Sequence, residues 1–132
     1  MSTRRTARTV EPWKSFLYSD PDGFSVKEVK FANGTSGRGL FAEKKFETHD
    51  FLLTYWGPRK RSAVSNLDYV MEVQDGKGVV FIDTYDERNS GMARFINDKD
   101  RTVPANCRMK RVNDEDGTTH CIFIAIRTIQ PG

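Results

Sequence analysis

The stretch TSGRGLFAEKKF, residues 35–46, places two glycines around one arginine. Because Gly37 and Gly39 have no side chain, the backbone there can come close to a ligand or adopt a positive φ. Such a cluster can serve as a phosphate cradle, as a grip for another cofactor, or as a plain turn between strands. A Walker loop has an earlier glycine and a Gly-Lys-Ser/Thr ending, and a dinucleotide-binding loop has a third glycine that opens a helix. The sequence has neither, so phosphate binding is disfavoured, and the residues alone favour a turn before a strand.

Five other side chains have the chemistry of site residues, although each also has an ordinary structural interpretation. Tyr55 and Tyr69 lie in strand-like runs, where an aromatic side chain usually packs in the core. Arg94 can be read as a surface cation, and Asn97 as a cap or turn residue. His120 opens a nearly unbroken apolar run, which favours a buried structural role over catalysis. These residues become candidates only through the order of the motifs around them.

The two cysteines do not predict a metal site. Cys107 and Cys121 flank the turn-like NDEDG at 113–117, so they could face each other across a hairpin. The Arg-rich N-terminus lacks the apolar region of a secretory signal, and we therefore predict free thiols. Together with His120, the cysteines do not supply the four ligands of a structural zinc site at the usual spacing. We expect no bound metal.

Short strand-like runs separated by turns must position these residues. They predict a mostly β fold of several small sheets with short helices. Strands are predicted at 24–31, 51–55, 69–74, 79–83, 107–112 and 120–126. The segments DGKG at 75–78 and NDEDG at 113–117 have the composition of hairpin turns. Helical signal is weak, and it is confined to RKRSAVSNL at 59–67 and a short turn within 86–96.

Charge is concentrated at the N-terminus of this 132-residue chain, which has the length of one small domain. Residues 1–14 carry the whole net charge of +3, from four cations and one anion: Arg4, Arg5, Arg8, Lys14 and Glu11. We predict a flexible basic arm over residues 1–23. The arm could contact nucleic acid weakly through Arg4, Arg5 and Arg8, or it could be a solvated tail. No run of about 18 apolar residues occurs, so we expect no membrane span.

Several short motifs occur in a fixed order along the chain. GRGLFA at 37–42 is followed by YWG at 55–57, FID at 81–83, ARFIND at 93–98, NC at 106–107 and IFIAIRTIQPG at 122–132. In that order and at those distances, they resemble a SET domain, the fold of protein-lysine methyltransferases. The resemblance covers residues 24–132. It is closest to the nuclear SET enzymes that monomethylate a histone-tail lysine, which have a similar NC…DG…H hairpin.

The resemblance implies S-adenosylmethionine as the cofactor and a lysine-bearing peptide, such as a histone tail, as the substrate. In SET proteins the Gly-Arg-Gly loop wraps the cofactor mainly through backbone groups, and a strand aromatic and the RFIN stretch complete the site. The implied cofactor-binding residues of this chain are Ser36, Gly37, Arg38, Gly39, Tyr69, Arg94, Asn97 and Asp98. Tyr55 is the implied catalytic residue, because the tyrosine of the YxG turn lines the channel for the substrate lysine.

Two departures from the family pattern bear on activity. SET domains often read Asn-His-Ser-Cys where this chain has NDKD at 97–100, so Asp98 replaces a histidine and Asp100 a cysteine that ligates zinc in some relatives. SET domains also continue beyond IQPG with a Tyr-rich closing segment that supplies a second active-site tyrosine. This sequence ends at Gly132, so we expect that the closing segment is missing and that the chain is a poor methyltransferase.

Three functions follow from the resemblance. The first is an S-adenosylmethionine-dependent protein-lysine N-methyltransferase that acts on histone or similar basic tails. The second is a catalytically inactive SET module that binds cofactor or peptide, and the third is a truncated gene product. For the methyltransferase we expect a monomer that regulates chromatin and is located in the nucleus, or in both the nucleus and the cytoplasm.

Overall fold

A computed structural model describes residues 11–30, 33–61, 70–96 and 105–132 of the chain. The strands there are β1 Phe24–Lys30, β2 Ser36–Ala42, β3 Phe51–Tyr55, β4 Arg59–Lys60, β5 Val70–Asp75, β6 Gly78–Asp83, β7 Cys107–Asn113 and β8 Thr119–Ala125. The short 3-10 helices are η1 Pro12–Ser15, η2 Glu87–Asn89 and η3 Met92–Phe95. Within the described ranges the strands form antiparallel sheets of order β1-β2, β3-β8-β7 and β4-β6-β5. The predicted mostly β fold of small sheets with short helices is confirmed.

Two tight turns with local sequence signals set the hairpin registers. Asp75 pairs with Gly78 across the β5–β6 turn. In the β7–β8 turn, the Asp114 amide donates to the Thr118 carbonyl at 2.8 Å. Gly78 and Gly117 have φ values of 116° and 86°, a region that glycine adopts without a steric cost. Both hairpins predicted from composition are confirmed.

One hydrophobic cluster joins the sheets β3-β8-β7 and β4-β6-β5. Leu53, Ile82, Cys121 and Ala125 are each 0% exposed within it. Strand β8 lies between β3 and β7 in the sheet, and most of its side chains are buried. Burial on both faces explains why its sequence is almost continuously apolar rather than alternating. This core fixes the end of β3, where Tyr55 lies.

The predicted flexible arm over residues 1–23 is wrong for residues 11–23, which pack against the rest of the domain. Trp13 in η1 is 6% exposed, and its ring centroid lies 6.3 Å from that of His120. Phe16 stacks on Phe51 with the ring centroids 6.2 Å apart. Burial of these rings stabilises a segment that its charge alone would leave solvated. Residues 1–10, with Arg4, Arg5 and Arg8, lie outside the described residues, so the arm there stays a prediction.

Strand β4 replaces the beginning of the helix predicted over 59–67. Arg59 and Lys60 pair with Ile82 and Phe81 of β6, which satisfies backbone groups that a helix start would leave unbonded. The Lys60 ammonium also lies 3.0 Å from Oδ2 of Asp83. The helix prediction is therefore wrong at its first two residues, and residues 62–67 lie outside the described part of the chain.

Both cysteines are free thiols, as predicted, and they do not face each other. Cys107 lies opposite Ala125, and Cys121 lies opposite Arg111 in the β7–β8 register. Burial raises the pKa of both thiols, so they stay protonated at neutral pH. A protonated thiol is a poor nucleophile and a poor metal ligand, which fits a packing role.

His120 is a buried residue with a defined tautomer. Its side chain is 1% exposed, and Nη2 of Arg59 lies 3.2 Å from its Nδ1. A guanidinium can only donate, so Nδ1 accepts and the ring hydrogen is on Nε2, which lies 3.7 Å from Oδ2 of Asp114. Burial and the Arg59 charge lower the pKa of His120, against the opposing charges of Asp114 and Asp116. The folded state therefore holds this imidazole neutral.

The lowered pKa of His120 predicts a loss of stability in mild acid. A histidine whose folded pKa lies below the unfolded value of 6.5 contributes stability that is present above pH 6.5 and lost as pH falls through the folded pKa. We expect the free energy of unfolding to fall between pH 7 and pH 5, by at most about 1.4 kcal/mol per pH unit. Carboxylates with lowered pKa, such as Glu43, lose their contribution only below the ordinary glutamate pKa of 4.5.

Urea denaturation of two variants across this pH range checks the assignment. His120→Gln should remove this fall in the free energy of unfolding, because no group at this position then takes up a proton. His49→Asn is the matched control: His49 is the other histidine of the chain, is exposed, and has φ 76°, which asparagine tolerates. If the free energy of unfolding fell equally with pH in His120→Gln and in the unmodified protein, another group would be the cause of the acid sensitivity.

Candidate functional site

Tyr55 ends strand β3 and is held in the core. Its side chain is 8% exposed, and its hydroxyl lies 2.9 Å from Oγ1 of Thr84, which is 0% exposed. Burial raises the pKa of Tyr55, while the Thr84 hydrogen bond and the nearby Arg94 charge lower it less strongly. The hydroxyl therefore stays neutral at physiological pH and can both donate and accept a hydrogen bond. A buried, oriented phenol of this kind can position a polar group of a ligand.

The Gly-Arg-Gly stretch is part of strand β2 rather than the predicted turn or loop. Gly37 pairs with Val29 and Gly39 with Lys27 of β1. Pairing with β1 satisfies the hydrogen bonds of alternate backbone groups of β2. Among the described residues this sheet has two strands, so the other edge of β2 has no strand partner within them. The backbone groups of β2 that do not face β1 lie along that edge, and the two glycines add no side chain beside them. Gly39 is buried, whereas Ser36 and Arg38 are exposed.

Helix η3 brings Arg94 against β2 and close to β3. The ring of Phe95 lies 4.7 Å from the guanidinium carbon of Arg38 and 5.1 Å from that of Arg94. Nη1 of Arg94 also donates to the Tyr85 carbonyl at 3.0 Å. Two guanidinium groups from separate elements therefore meet at one aromatic ring, as cation–π contacts favour. The structure thus brings together the Gly-Arg-Gly strand, the Arg94 helix and the end of β3.

The structure describes six of the nine predicted site residues. Tyr69, Asn97 and Asp98 lie outside the described residues, as does Asp100. The six that are described lie on three elements: Ser36, Gly37, Arg38 and Gly39 on β2, Arg94 on η3, which contacts both strands, and Tyr55 on β3. For the three others, a role at the site stays a prediction.

Two residues of this site were missed by sequence reasoning. Thr84, the partner of the Tyr55 hydroxyl, is 29 residues away from it, and nothing local in the sequence marks such a pair. Phe95 lies inside the ARFIND motif, so its position next to Arg94 was a usable signal. A ring between two motif arginines is the feature that joins β2 to η3.

A groove of about 200 Å³ borders the same elements. Leu40, which follows Gly39, and Ile96, which follows Phe95, are among its lining residues. The others come from the first three strands, the Asn106–Cys107 end of β7 and two flanking segments: Phe24, Phe41, Ala42, Phe46, Leu52, Leu53, Asn106, Cys107 and Ile129. The groove therefore places both polar and apolar surface next to residues of β2 and η3.

The donor set fits an organic cofactor with polar ends better than a metal ion. In the described ranges, no group of three or more His, Cys, Asp or Glu side chains lies close enough together to hold a metal. The open edge of β2 offers backbone hydrogen bonds, Phe95 offers an aromatic face, and Arg38 and Arg94 offer guanidinium groups. Amide groups, guanidinium groups and an aromatic face suit a nucleoside that carries an amino-acid carboxylate. In the described part of the chain, no helix is long and apolar enough to cross a membrane.

The chain has relatives among known proteins. A family profile described as "SET domain" matches residues 37–132. A "Histone-lysine N-methyltransferase, H3 lysine-4 specific" of Aspergillus oryzae is 28% identical over 112 residues, which are 79% of this chain and 9% of that protein. The Aspergillus fumigatus protein with the same description is 28% identical over 111 residues, 78% of this chain and 9% of its own length. The chain thus spans less than a tenth of either protein.

Solved structures share the fold. The methyltransferase domain of human PR domain-containing protein 2 superposes with a TM-score of 0.62 at 21% identity, over 90% of this chain and 78% of that one. KRYPTONITE, solved in complex with mCHH DNA, H3(1-15) peptide and SAH, has a TM-score of 0.60 at 20% identity, over 82% of this chain and 21% of that one. At these identities the likeness establishes the fold.

Proposed function

Since the chain belongs to the SET-domain family, we propose that it is an S-adenosylmethionine-dependent protein-lysine N-methyltransferase acting on histone or similar basic tails. The observation that carries the proposal is the meeting of three motif segments around η3. Arg38 of the Gly-Arg-Gly strand and Arg94 both contact the ring of Phe95. The buried hydroxyl of Tyr55 lies near enough to Arg94 for its pKa to be affected by that charge.

S-adenosylmethionine supplies a sulfonium methyl group that transfers in line to a neutral amine. The residues of this chain would hold the cofactor through the open edge of β2 at Gly37 and Gly39, with Arg38 and Arg94 beside it and Tyr69, Asn97 and Asp98 completing the contacts. Their contribution to rate is positioning, because a correctly oriented pair of reactants has a much lower entropic barrier.

Tyr55 would orient the amine of the substrate lysine. A neutral hydroxyl can accept a hydrogen bond from the amine while it bonds to Thr84, and its raised pKa keeps it neutral. The amine must lose its proton and its water shell before it reacts, and a buried position disfavours the charged form of a lysine. Tyr55 and Thr84, at 8% and 0% exposure, provide such a water-poor environment.

The proposed substrate is a histone tail, with histone H3 as the first candidate. The two Aspergillus relatives are described as specific for H3 lysine-4, and KRYPTONITE was solved with an H3 peptide. A histone-modifying protein acts in the nucleus, so we propose a nuclear location. We propose in addition that the chain is a monomer. We also propose weak contact with nucleic acid through Arg4, Arg5 and Arg8.

Replacement of Gly39 tests the cofactor site. Gly39 is buried on β2, and a valine side chain there should block close approach of the cofactor to the backbone. We expect Gly39→Val to weaken binding of S-adenosylhomocysteine by at least about tenfold, or roughly 1.4 kcal/mol. Isothermal titration calorimetry measures both affinities. Gly76→Val is the matched control, since a Cβ at Gly76 meets nothing within 4 Å. If the unmodified protein and Gly39→Val had equal affinities for S-adenosylhomocysteine, the assignment of β2 to the cofactor site would be wrong.

A further inference from the structure

Asp20 connects two elements of the proposed site from outside the matched family region. It lies between η1 and β1, before residue 37, where the family match begins. Its Oδ1 accepts a hydrogen bond from the indole Nε1 of Trp56 at 2.9 Å, and its Oδ2 accepts one from the Met92 amide at 2.9 Å. Trp56 directly follows Tyr55, and Met92 is the first residue of η3.

The contact between Trp56 and the start of η3 is close-packed around this carboxylate. The Gly91 amide donates to the Trp56 carbonyl at 3.1 Å. A Cβ at Gly91 would lie 2.1 Å from Nε1 of Trp56 and 2.7 Å from Oδ1 of Asp20. Only a glycine lets the indole and the carboxylate sit against the backbone here, so the three groups are fixed relative to one another.

A carboxylate is suited to this position because it accepts on both oxygens and donates on neither. Asparagine keeps one acceptor but turns a donor toward the second N–H, and alanine removes both acceptors. Hydrogen bonds to a carboxylate are shorter and stronger than neutral ones, and these are partly buried, which strengthens them further. Asp20 therefore sets the distance between the end of β3 and the beginning of η3.

We propose that Asp20 is a positioning residue, which holds Tyr55 and Arg94 in their working arrangement by bonding Trp56 and the Met92 amide. The inference rests on the methyl-transfer function proposed above. Asp20 contacts neither substrate nor cofactor in this account. Its effect on the reaction passes through the chain neighbours of its two partners. Tyr55 directly precedes Trp56, and Arg94 follows Met92 within the same helical turn.

The bonding itself is tested by NMR on the whole chain, independently of catalysis. The protein has two tryptophans, Trp13 and Trp56, so two indole N–H signals are expected. In Asp20→Ala and Asp20→Asn the Trp56 signal should move, while the Trp13 signal should stay. Asp22→Asn is the matched control, since Asp22 is an exposed carboxylate two residues away, and it should move neither. An unmoved Trp56 signal in Asp20→Ala would overturn the proposal.

Steady-state methylation of a histone H3 peptide tests the consequence. We expect kcat to fall at least about tenfold in Asp20→Ala with KM for the peptide changed much less, because misplacement of reacting groups acts mainly on the transition state. Asp20→Asn should recover part of kcat. Trp56→Phe keeps most of the ring and removes the N–H, and it serves as the second variant if Asp20→Ala fails to fold; its kcat should also fall.

The outcomes separate the two proposals. If the unmodified protein methylates the peptide and the Asp20 and Trp56 variants keep its kcat, positioning by Asp20 is wrong and the proposed function stands. If the unmodified protein transfers no methyl group to any lysine, the proposed function fails, and the positioning role fails with it.

Discussion

Tyr55→Phe is expected to lower the rate of lysine methylation by about 100-fold, the usual scale for removing one preorganised hydrogen-bonding group from an active site. The ring fills the same volume, so the core around it should remain packed. The hydroxyl is lost from a position where it lies 2.9 Å from Oγ1 of Thr84 and is nearly excluded from water. The loss should appear in kcat, because orientation of the amine matters most in the transition state.

Two further variants make this result specific. Thr84→Val keeps the shape of the threonine but removes the hydroxyl that orients Tyr55, so we expect a smaller fall in kcat. Tyr18→Phe removes a phenol hydroxyl from a side chain that is 55% exposed, and it should leave kcat unchanged. Affinity for S-adenosylhomocysteine should be the same in all three. A Tyr55→Phe rate within about twofold of the unmodified protein, well below the effect expected for a transition-state group, would remove Tyr55 from the reaction.

Gly57→Ala and Gly91→Ala should each lower the free energy of unfolding by about 1–3 kcal/mol, the usual cost of overpacking a tight site. A Cβ at Gly57 would lie 2.6 Å from the carbonyl oxygen of Asp83, which is backbone and cannot rotate away. The Asp83 amide is itself held by the Pro58 carbonyl at 2.9 Å. At Gly91 the obstacle is the Trp56 indole at 2.1 Å. Both substitutions must push apart elements that carry site residues.

Gly76→Ala is the control for this pair. Gly76 lies in the β5–β6 turn, a Cβ there meets nothing within 4 Å, and its φ is not positive. Its stability should stay within about 0.5 kcal/mol of the unmodified protein, as for most surface substitutions. Urea denaturation at pH 7 measures all three. If Gly57→Ala were as stable as Gly76→Ala, the close approach of the Gly57 turn to β6 would be wrong.

The parts of the fold that sequence could predict are those specified by near neighbours. Strand β3 was predicted at 51–55 and is observed at Phe51–Tyr55, because an apolar run with branched and aromatic residues indicates a strand without reference to distant residues. The hairpin turns at Gly78 and Gly117 were predictable because positive φ selects glycine locally. The helix predicted at 59–67 failed at Arg59 because pairing with Ile82, which is distant in sequence, overrides local propensity.

The parts of the site that sequence could not predict depend on distant partners. Asp20 bonds Trp56 and Met92 across 36 and 72 residues, and Tyr55 bonds Thr84 across 29. Trp13 packs on His120, near the other end of the chain. The four basic residues among the first 14 suggested a solvated arm, but Trp13 is buried against the domain. The motif order predicted Tyr55, Gly39 and Arg94 as site residues, and only the structure shows that Phe95 contacts both Arg38 and Arg94.

Methyl transfer by the unmodified chain is the most direct test of the central claim. The chain is incubated with S-adenosylmethionine and either a peptide of H3(1-15) or the same peptide with every lysine replaced by arginine. Mass spectrometry follows the peptide, and the S-adenosylhomocysteine formed is measured in parallel. We predict slow transfer of methyl groups to the lysine peptide alone, in equal amount to the S-adenosylhomocysteine produced. Tight binding of S-adenosylhomocysteine with no methyl group on any lysine, in this peptide or in whole histones, would contradict the account and identify a catalytically inactive SET module instead.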